Sequence, residues 1–404
     1  GPEVIKELGP PLSLLLTSAR WLTHRVGEEC REVFAGLYRQ LASEAGSPVI
    51  SATDYWARVQ GADIGEEGPI IGSLLTTLRQ KWADILSISG EERRVSYRSE
   101  ELRGRVMEAF DAPRPGWPEA RYHSPDLMIA ASSADEIRRG NYEIVLGEIH
   151  VARNTLSYSV FLEQHPNVDE LFRAVELDMP RPRLLPVTPK YMTGLTSRVY
   201  LRLMSSKDYT LEFSRDAAAS DGSRSLAIGE MVVEENSEGL IVRTRDGRVQ
   251  LDIIDAFGDV LTGQVINSFK VLAPGDHTPR INLDRVVIHR ETWRFPVSEM
   301  DFAFEKDEAY RFLEARRWAG AHSLPRFIFV KVPVEIKPLF VDLDSPVLVN
   351  LFAKMVRQAG EKDSPDAVIT VTEMLPGPDQ VWLPDGEGNR YTSELRVIAV
   401  DLKD

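Results

Sequence analysis

"YEIVLGEIHVARN", Tyr142 to Asn154, decides how the middle of this chain is read. Its apolar residues fall on both sides of an extended backbone. Alternation puts Ile144, Leu146, Glu148 and His150 on one side and Val145, Ile149 and Val151 on the other. A strand apolar on both faces is central and covered, and one side of this one turns polar toward its C-terminal end. Burying a lone carboxylate is expensive, so Glu148 and His150, about 7 Å apart at two strand residues, are expected to meet partners rather than each other. Those partners either make a satisfied structural pair or line a ligand pocket in which His150 donates a proton or a hydrogen bond.

Working outward, a Pro-rich joint at Asp111–Asp126 precedes a second strand, "LMIAASS", and "SADEIRRGN" supplies a helical turn or two. Upstream, Leu15, Leu16, Ala19, Leu22, Val33, Phe34, Leu37 and Leu41 recur at helical spacing, which predicts two helices broken near Val26 and Gly27. "SATDYWARVQ" and "GPIIGSLLTTLRQKWADIL" extend the helical character, so residues 1–110 form a mainly helical segment and 111–404 an α+β portion. "NVDELFRAVEL" reads as a short amphipathic helix. From Tyr209 to Leu272, β-branched runs alternate with turn signals and predict a meander of antiparallel strands. "RVVIHRETWRF", "LPRFIFVKVP" and the neighbourhoods of Ala367–Leu375 and Tyr391–Val400 read as strands, and "EKDEAYRFLEARRWAG" and "SPVLVNLFAKMVRQAG" as helices. The fold class is α+β: a helical N-terminal part, then mixed, largely antiparallel sheets with packed helices.

With 43% hydrophobic residues over 404 positions, a sizeable core is available, and 27% charged residues without long single-sign blocks argue against disorder. A net charge of -14 argues against wholesale nucleic-acid binding, though not against a local basic patch. Cys30 is the one cysteine, so neither an intramolecular disulfide nor a cysteine zinc site can form, which fits a reducing cytoplasm. No run of about 18 apolar residues is present to cross a membrane. The leading Gly-Pro, with no initiator Met, reads as the start of a piece cut from a longer chain.

Two basic stretches stand out against this acidic background. Between Met179 and Met204 lie Arg181, Arg183, Lys190, Arg198 and Arg202 with no acid among them. Such a run suits either a phosphate-bearing partner met by bidentate Arg contacts or an internal salt-bridge surface. In "TPRINLDRVVIHRETWRF", strand alternation places Arg290 and Arg294 on one face and His289, Trp293 and Phe295 on the other. Asp342 and Asp344 in "FVDLDSP" invite a metal reading but suit capping of the following helix better, so no metal site is expected. Walker, dinucleotide-binding, zincin and nucleophile-elbow motifs are all missing.

Taken together, "YHSPDLMIAAS", "VLGEIHVARNTL", "PRINLDRVVIHRETWRF", "LPRFIFVKVPVEIKPLFVDLDSPVLVNLF" and "TEMLPGPDQVWLPDGEGNRYTSELR" resemble the class I lantibiotic dehydratases, in order from about Leu12 to Arg396. The resemblance is to the C-terminal half of their glutamylation domain, which takes glutamate from glutamyl-tRNA and esterifies Ser or Thr of a precursor peptide before a separate domain eliminates it. It implies tRNA(Glu) and precursor peptide as partners, glutamyl-tRNA as co-substrate and no bound cofactor. It also implies a missing N-terminal half and elimination unit, without which this chain is inactive, and it leaves a homodimer open. Arg198, His150 and Glu148 become the candidate catalytic residues. Arg181, Arg183, Lys190, Arg202, Arg290 and Arg294 become tRNA contacts, and Asn154 a substrate contact. Two other readings compete: a peptide aminoacyl-tRNA ligase that extends a peptide C-terminus, and a non-catalytic peptide-binding scaffold of a natural-product synthetase.

Overall fold

The computed structural model describes residues 2–62, 64, 68–88, 92–152, 155–157, 159–163, 165–179, 182–187, 205–213, 224–333, 335–362 and 366–402. The N-terminal part is helical, as its periodicity requires: α1 (Pro2–Ala45), α2 (Ala52–Gln60), α3 (Pro69–Leu86) and α4 (Ser99–Ala109). The expected break at Gly27 is absent, and α1 runs through it. Gly27 serves a close approach instead. A Cβ there would stand 2.9 Å from the Gly116 carbonyl oxygen, and a Cβ on Gly116 would fall on the Thr23 carbonyl. Leu15, Leu22, Val26 and Phe34 line the buried side of α1, and the indole of fully buried Trp82 on α3 donates to Ser18 Oγ at 3.0 Å.

Among the described residues, the central sheet has seven strands. Six are β1 (Arg94–Tyr97), β2 (Tyr122–Ala130), β3 (Glu143–His150), β4 (Arg280–Leu283), β5 (Val286–His289) and β10 (Glu394–Arg396). Their order is β1-β4-β5-β3-β2-β10, with Ala399–Val400 also on β2. β4 is parallel to β1 and β5 is parallel to β3, while the remaining pairs are antiparallel. A second sheet, of five strands, holds His277–Thr278, β6 (Thr292–Pro296), β9 (Val368–Glu373), β7 (Phe327–Lys331) and β8 (Leu339–Asp342) in that order, all antiparallel. Helices α6 (Glu308–Ala321) and α7 (Pro346–Lys362) pack with this sheet over their own core, which includes Trp293, Phe295, Ile328, Phe352 and Ile369.

The run Arg285–Phe295 is therefore not one strand. It breaks at Arg290 and Glu291, and β5 and β6 belong to different sheets. The break is fixed by buried charge. Glu291 is 3% exposed, its carboxylate takes a fork from Arg93 at 2.7 and 3.0 Å, and its backbone N–H donates to Glu373 at 2.8 Å. Glu373 in turn accepts Arg280 Nε at 2.7 Å.

The expected meander is interrupted too. Met231–Asn236, Gly239–Thr244 and Gln250–Asp252 are antiparallel, but Leu184–Pro186, Tyr209–Glu212 and Ser225–Ala227 pair in parallel, and Ile253–Val265 is a helix, α5. Asp252 caps α5 by accepting from Ile254 N at 2.9 Å, and Ile254, Phe257, Leu261 and Val265 bury one stripe. Phe257 stacks on Trp56 with ring centres 4.4 Å apart. Asp342 and Asp344, expected to cap a helix, both pair with Arg326, Asp342 through a fork at 2.8 and 2.9 Å.

Glycine packing gives a direct check. Gly116→Ala forces a Cβ into the Thr23 carbonyl and is expected to destabilise by about 2–4 kcal/mol. Gly36→Ala, in a helix interior with no heavy atom within 4 Å of the place its Cβ would take, should stabilise by about 0.5–1 kcal/mol. Urea titrations of the two variants measure both.

Candidate functional site

The face assignment of β3 is changed by one irregularity. Ser124 faces His150 and Pro125 faces Ile149, but the next pair is Leu127 with Leu146, so Gly147 and Glu148 together oppose Asp126. This β-bulge shifts the alternation by one residue. Ile144, Leu146, Ile149 and Val151 therefore share one core, while Val145 joins Ala130, Val287 and Leu375 on the other side. Glu148 and His150 lie on Val145's side, not with Ile144 and Leu146 as simple alternation had it. Gly147 permits the bulge because Asp126 Cβ stands 3.3 Å from where its own Cβ would be.

β2 begins at Tyr122, inside the stretch read as a joint, and its Asp126 is the acid that meets the bulge. Pro125, having no N–H to donate, sits next to the irregularity, where a strand tolerates it, and its carbonyl accepts from Val397 N at 3.2 Å. That bond carries β10 and Arg396 to the site. On the far side, Val151 N donates to Ile266 O at 3.1 Å and places Asn267, just past the end of α5, against His150.

The resulting cluster is compact. His150, 5% exposed, has Nδ1 2.6 Å from Asn267 Oδ1 and Nε2 3.1 Å from Asp126 Oδ2. Arg396 Nη1 lies 2.7 Å from His150 Nε2 and 2.6 Å from Asp126 Oδ1. Its Nε donates to Glu394 at 2.8 Å, and its guanidinium covers the Phe161 ring at 5.0 Å. One nitrogen cannot both donate to Asp126 and accept from Arg396, so the imidazole has two partner sets. Neutral with Nδ1–H, it gives its proton to Asn267 and accepts from Arg396; as imidazolium, it donates to Asn267 and Asp126. A single proton thus decides whether Nε2 is bonded to Arg396 or to Asp126.

Burial is the largest influence on the His150 pKa and pushes it down. The hydrogen bond and charge of Asp126 and the bond to Asn267 push it up, Arg396 opposes them, and the net shift is upward. Glu148 is exposed. Ligand atoms of Asp126, Glu148 and His150 lie within 4.8 Å of one another, a spacing a cation could use. The Arg396 guanidinium already supplies positive charge at Asp126.

Of the other candidate residues, Arg181, Lys190, Arg198, Arg202 and Asn154 lie outside the described residues. Arg183 is buried and forks onto buried Asp208. Arg290 is partly buried, with Nε donating to Leu375 O at 3.0 Å and Nη1 to Leu146 O at 3.4 Å. Arg294 is half-exposed and reaches Pro274 O at 3.4 Å. Arg290 and Arg294 thus sit on separate segments rather than on one strand face. Sequence reasoning missed Asp126, Asn267 and Arg396. A carboxylate inside the apolar "YHSPDLMIA" was the available signal for the first; for the other two, local sequence holds none.

No family profile and no curated protein matches the sequence. Solved structures do match. The glutamylation domain TbtB from thiomuracin biosynthesis superposes with TM-score 0.56 and 18% identity over 98% of this chain and 50% of that one. The same domain bound to 5'-phosphodesmethylglutamycin gives 0.54 and 17% over 97% and 50%. The tRNA-dependent lantibiotic dehydratase MibB from Microbispora sp. 107891 gives 0.46 and 14% over 76% and 34%. The chain has the fold of the TbtB glutamylation domain and spans half that protein's length.

The site's electrostatics predict signs. Asp126→Asn should lower the His150 pKa and Arg396→Met should raise it, as read from the imidazole resonances by NMR. Because the folded pKa lies above the ordinary 6.5, His150 stabilises the fold at acid pH and loses that contribution as pH rises through the folded pKa. Asp126→Asn should abolish that loss.

Proposed function

We propose that this chain takes part in aminoacyl transfer from glutamyl-tRNA to a Ser or Thr hydroxyl of a ribosomally made peptide, with Asp126, His150, Glu148 and Arg396 at the reacting end. The observation that carries the reading is the fold match to a glutamylation domain over 98% of the chain. The bulge-built cluster adds the chemistry. In such a transfer the hydroxyl oxygen bonds to the glutamyl carbonyl carbon, and the ester bond to the ribose oxygen breaks. The proton passes from the hydroxyl to the released ribose oxygen. That path needs a base that stays hydrogen-bonded in both charge states, and His150 does so by exchanging Arg396 for Asp126 at Nε2. It also needs positive charge for the tetrahedral oxyanion, which Arg396 carries while held by Glu394 and Phe161.

In this reading Glu148, exposed beside them, takes the α-ammonium of the donor. Contacts to the tRNA itself fall to Arg294 and to Arg181, Lys190 and Arg202 of the acid-free stretch; Arg198 of that stretch stays the candidate for the aminoacyl group, and Asn154 serves the peptide. Arg183 and Arg290 act inside the fold through their internal bonds. Partners are charged tRNA(Glu) and a precursor peptide, in the cytoplasm. Because the chain spans half of the matched domain, transfer is assigned to a larger assembly, with binding residing here.

The test is titration of the chain with tRNA(Glu) carrying glutamate through a stable amide, alongside the uncharged tRNA. Arg396→Ala is expected to weaken the charged form about tenfold or more, as loss of a charge-assisted contact does, and to leave uncharged tRNA unchanged. Equal binding of both forms by both proteins would contradict the reading. A product linkage that survives mild base would favour amide ligation over esterification.

A further inference from the structure

The five-stranded sheet buries one of its two faces. Ile328 and Val330 of β7, Val341 of β8, Ile369 and Val371 of β9, and Trp293 and Phe295 of β6 belong to the core shared with α6 and α7. The alternate residues make the other face, and register sets them in rows. Phe340, Phe329, Thr372 and Thr292 form one row, and Lys331, Thr370 and Arg294 the next. Phe327 stands beside them, opposite Asp342. A solvated sheet face is ordinarily polar, yet this one carries three phenylalanines. Phe340 is 36% exposed, Phe327 and Phe329 are half-buried, and none of the three belongs to a hydrophobic core. They form one group, with the Phe340 ring centre 6.2 Å from that of Phe327 and 6.1 Å from that of Phe329.

The charge on this face is positive. Lys331 and Arg294 both lie opposite Thr370, two strand spacings or about 10 Å apart. Neither forms an ion pair among the described residues. The Lys331 ammonium donates to the Val332 carbonyl at 3.4 Å and to that of Glu335, and Arg294 reaches the Pro274 carbonyl at 3.4 Å. Neutral carbonyls leave both charges uncompensated. Asp342, the acid that β8 adds to the face, is forked by Arg326 at 2.8 and 2.9 Å, and that guanidinium lies over Phe327 at 4.8 Å. At the margins, Asp344 pairs with Arg316 and Arg326, and exposed Glu335 and Lys337 offset each other. Asp276, exposed where the neighbouring edge strand begins, leaves Arg294 without an ion pair.

The flat side of a sheet offers no free backbone N–H or C=O. An extended peptide, which docks through main-chain bonds at a sheet edge, finds none of them here. A second copy set face to face would bring like charges together. Unpaired bases, in contrast, have flat π-faces that stack on aromatic side chains, and their phosphates need cations alongside.

From these features we infer that the outer face of β6, β9, β7 and β8 binds a short single-stranded stretch of nucleic acid, with bases on Phe327, Phe329 and Phe340 and phosphates on Lys331 and Arg294. The inference stands on this face alone. Joined to the transfer reading, it seats the unpaired 3' end of a tRNA on the sheet that meets the central one at Arg290 and Glu291.

The test uses a twelve-nucleotide single-stranded RNA without an amino acid, so its outcome does not depend on the transfer reading. Binding is followed by fluorescence anisotropy, and in parallel by the 19F signals of the chain labelled with 4-fluorophenylalanine. Saturable binding with shifts at Phe329 and Phe340 is expected. Changing Phe329→Leu and Phe340→Leu together keeps the face apolar but removes two π-faces, and should weaken binding about tenfold or more. Lys331→Gln with Arg294→Gln should reduce the slope of log K against log salt by about 1.4, at about 0.7 per cation on a single strand. Unchanged melting temperatures in both double variants separate these losses from misfolding. Failure to saturate, equal binding of the same RNA as a duplex, or undiminished binding by the leucine variant would overturn the inference. So would an oligoglutamate of equal charge that binds as tightly, which would make the face a peptide site. Shifts that follow protein concentration without RNA would make it a self-association surface and overturn it too.

Discussion

The arrangement around His150 depends on one extra residue in one strand. Gly147 and Glu148 share the place opposite Asp126, and this reverses which side of the sheet the end of β3 presents. Without the bulge, Glu148 and His150 would point into the core that holds Ile144 and Leu146, where a carboxylate and an imidazole would need burial partners the apolar packing does not offer. With it, His150 meets Asp126, Asn267 and Arg396, which arrive from three other segments. Glycine at 147 keeps this approach close, since a Cβ there would stand 3.3 Å from Asp126 Cβ and press the two strands slightly apart.

A second polar constraint divides the rest. Glu291 and Glu373, both nearly fully buried, are neutralised by Arg93 and Arg280 where the central sheet gives way to the five-stranded one. Arg290 next to them spans the gap between Leu146 and Leu375 carbonyls. Removing one member of such a set would leave an uncompensated charge inside the protein, costing about 3–5 kcal/mol. Two arginines that looked available for phosphate are held inside the fold, Arg290 beside this network and Arg183 on Asp208.

Much of the fold was legible in the sequence, because periodicity reports burial. Helices α2, α3, α6 and α7 and strands β3, β7 and β9 fall where the apolar spacing placed them. Errors came where a residue had a purpose that local pattern does not reveal. Gly27 looked like a helix break and is a helix contact with Gly116. Arg285–Phe295 looked like one strand because the turn between β5 and β6 is made by buried charge rather than by Gly or Pro. The α+β class and the likeness to a glutamylation domain were readable. At the site, His150 and Glu148 were visible as polar interruptions. Asn267 and Arg396 were not, because they lie 117 and 246 residues from His150 in sequence and only tertiary pairing brings them there.

The central claim is that the end of β3 receives the aminoacyl group. Its most direct test is a crystal structure of this chain with glutamyl-3'-aminoadenosine, the stable amide form of the charged tRNA terminus. The account predicts the glutamyl carbonyl oxygen within hydrogen-bonding distance of Arg396 and its α-nitrogen near Glu148. A glutamyl group bound elsewhere, with Arg396 still seated on Asp126 and His150, would contradict it.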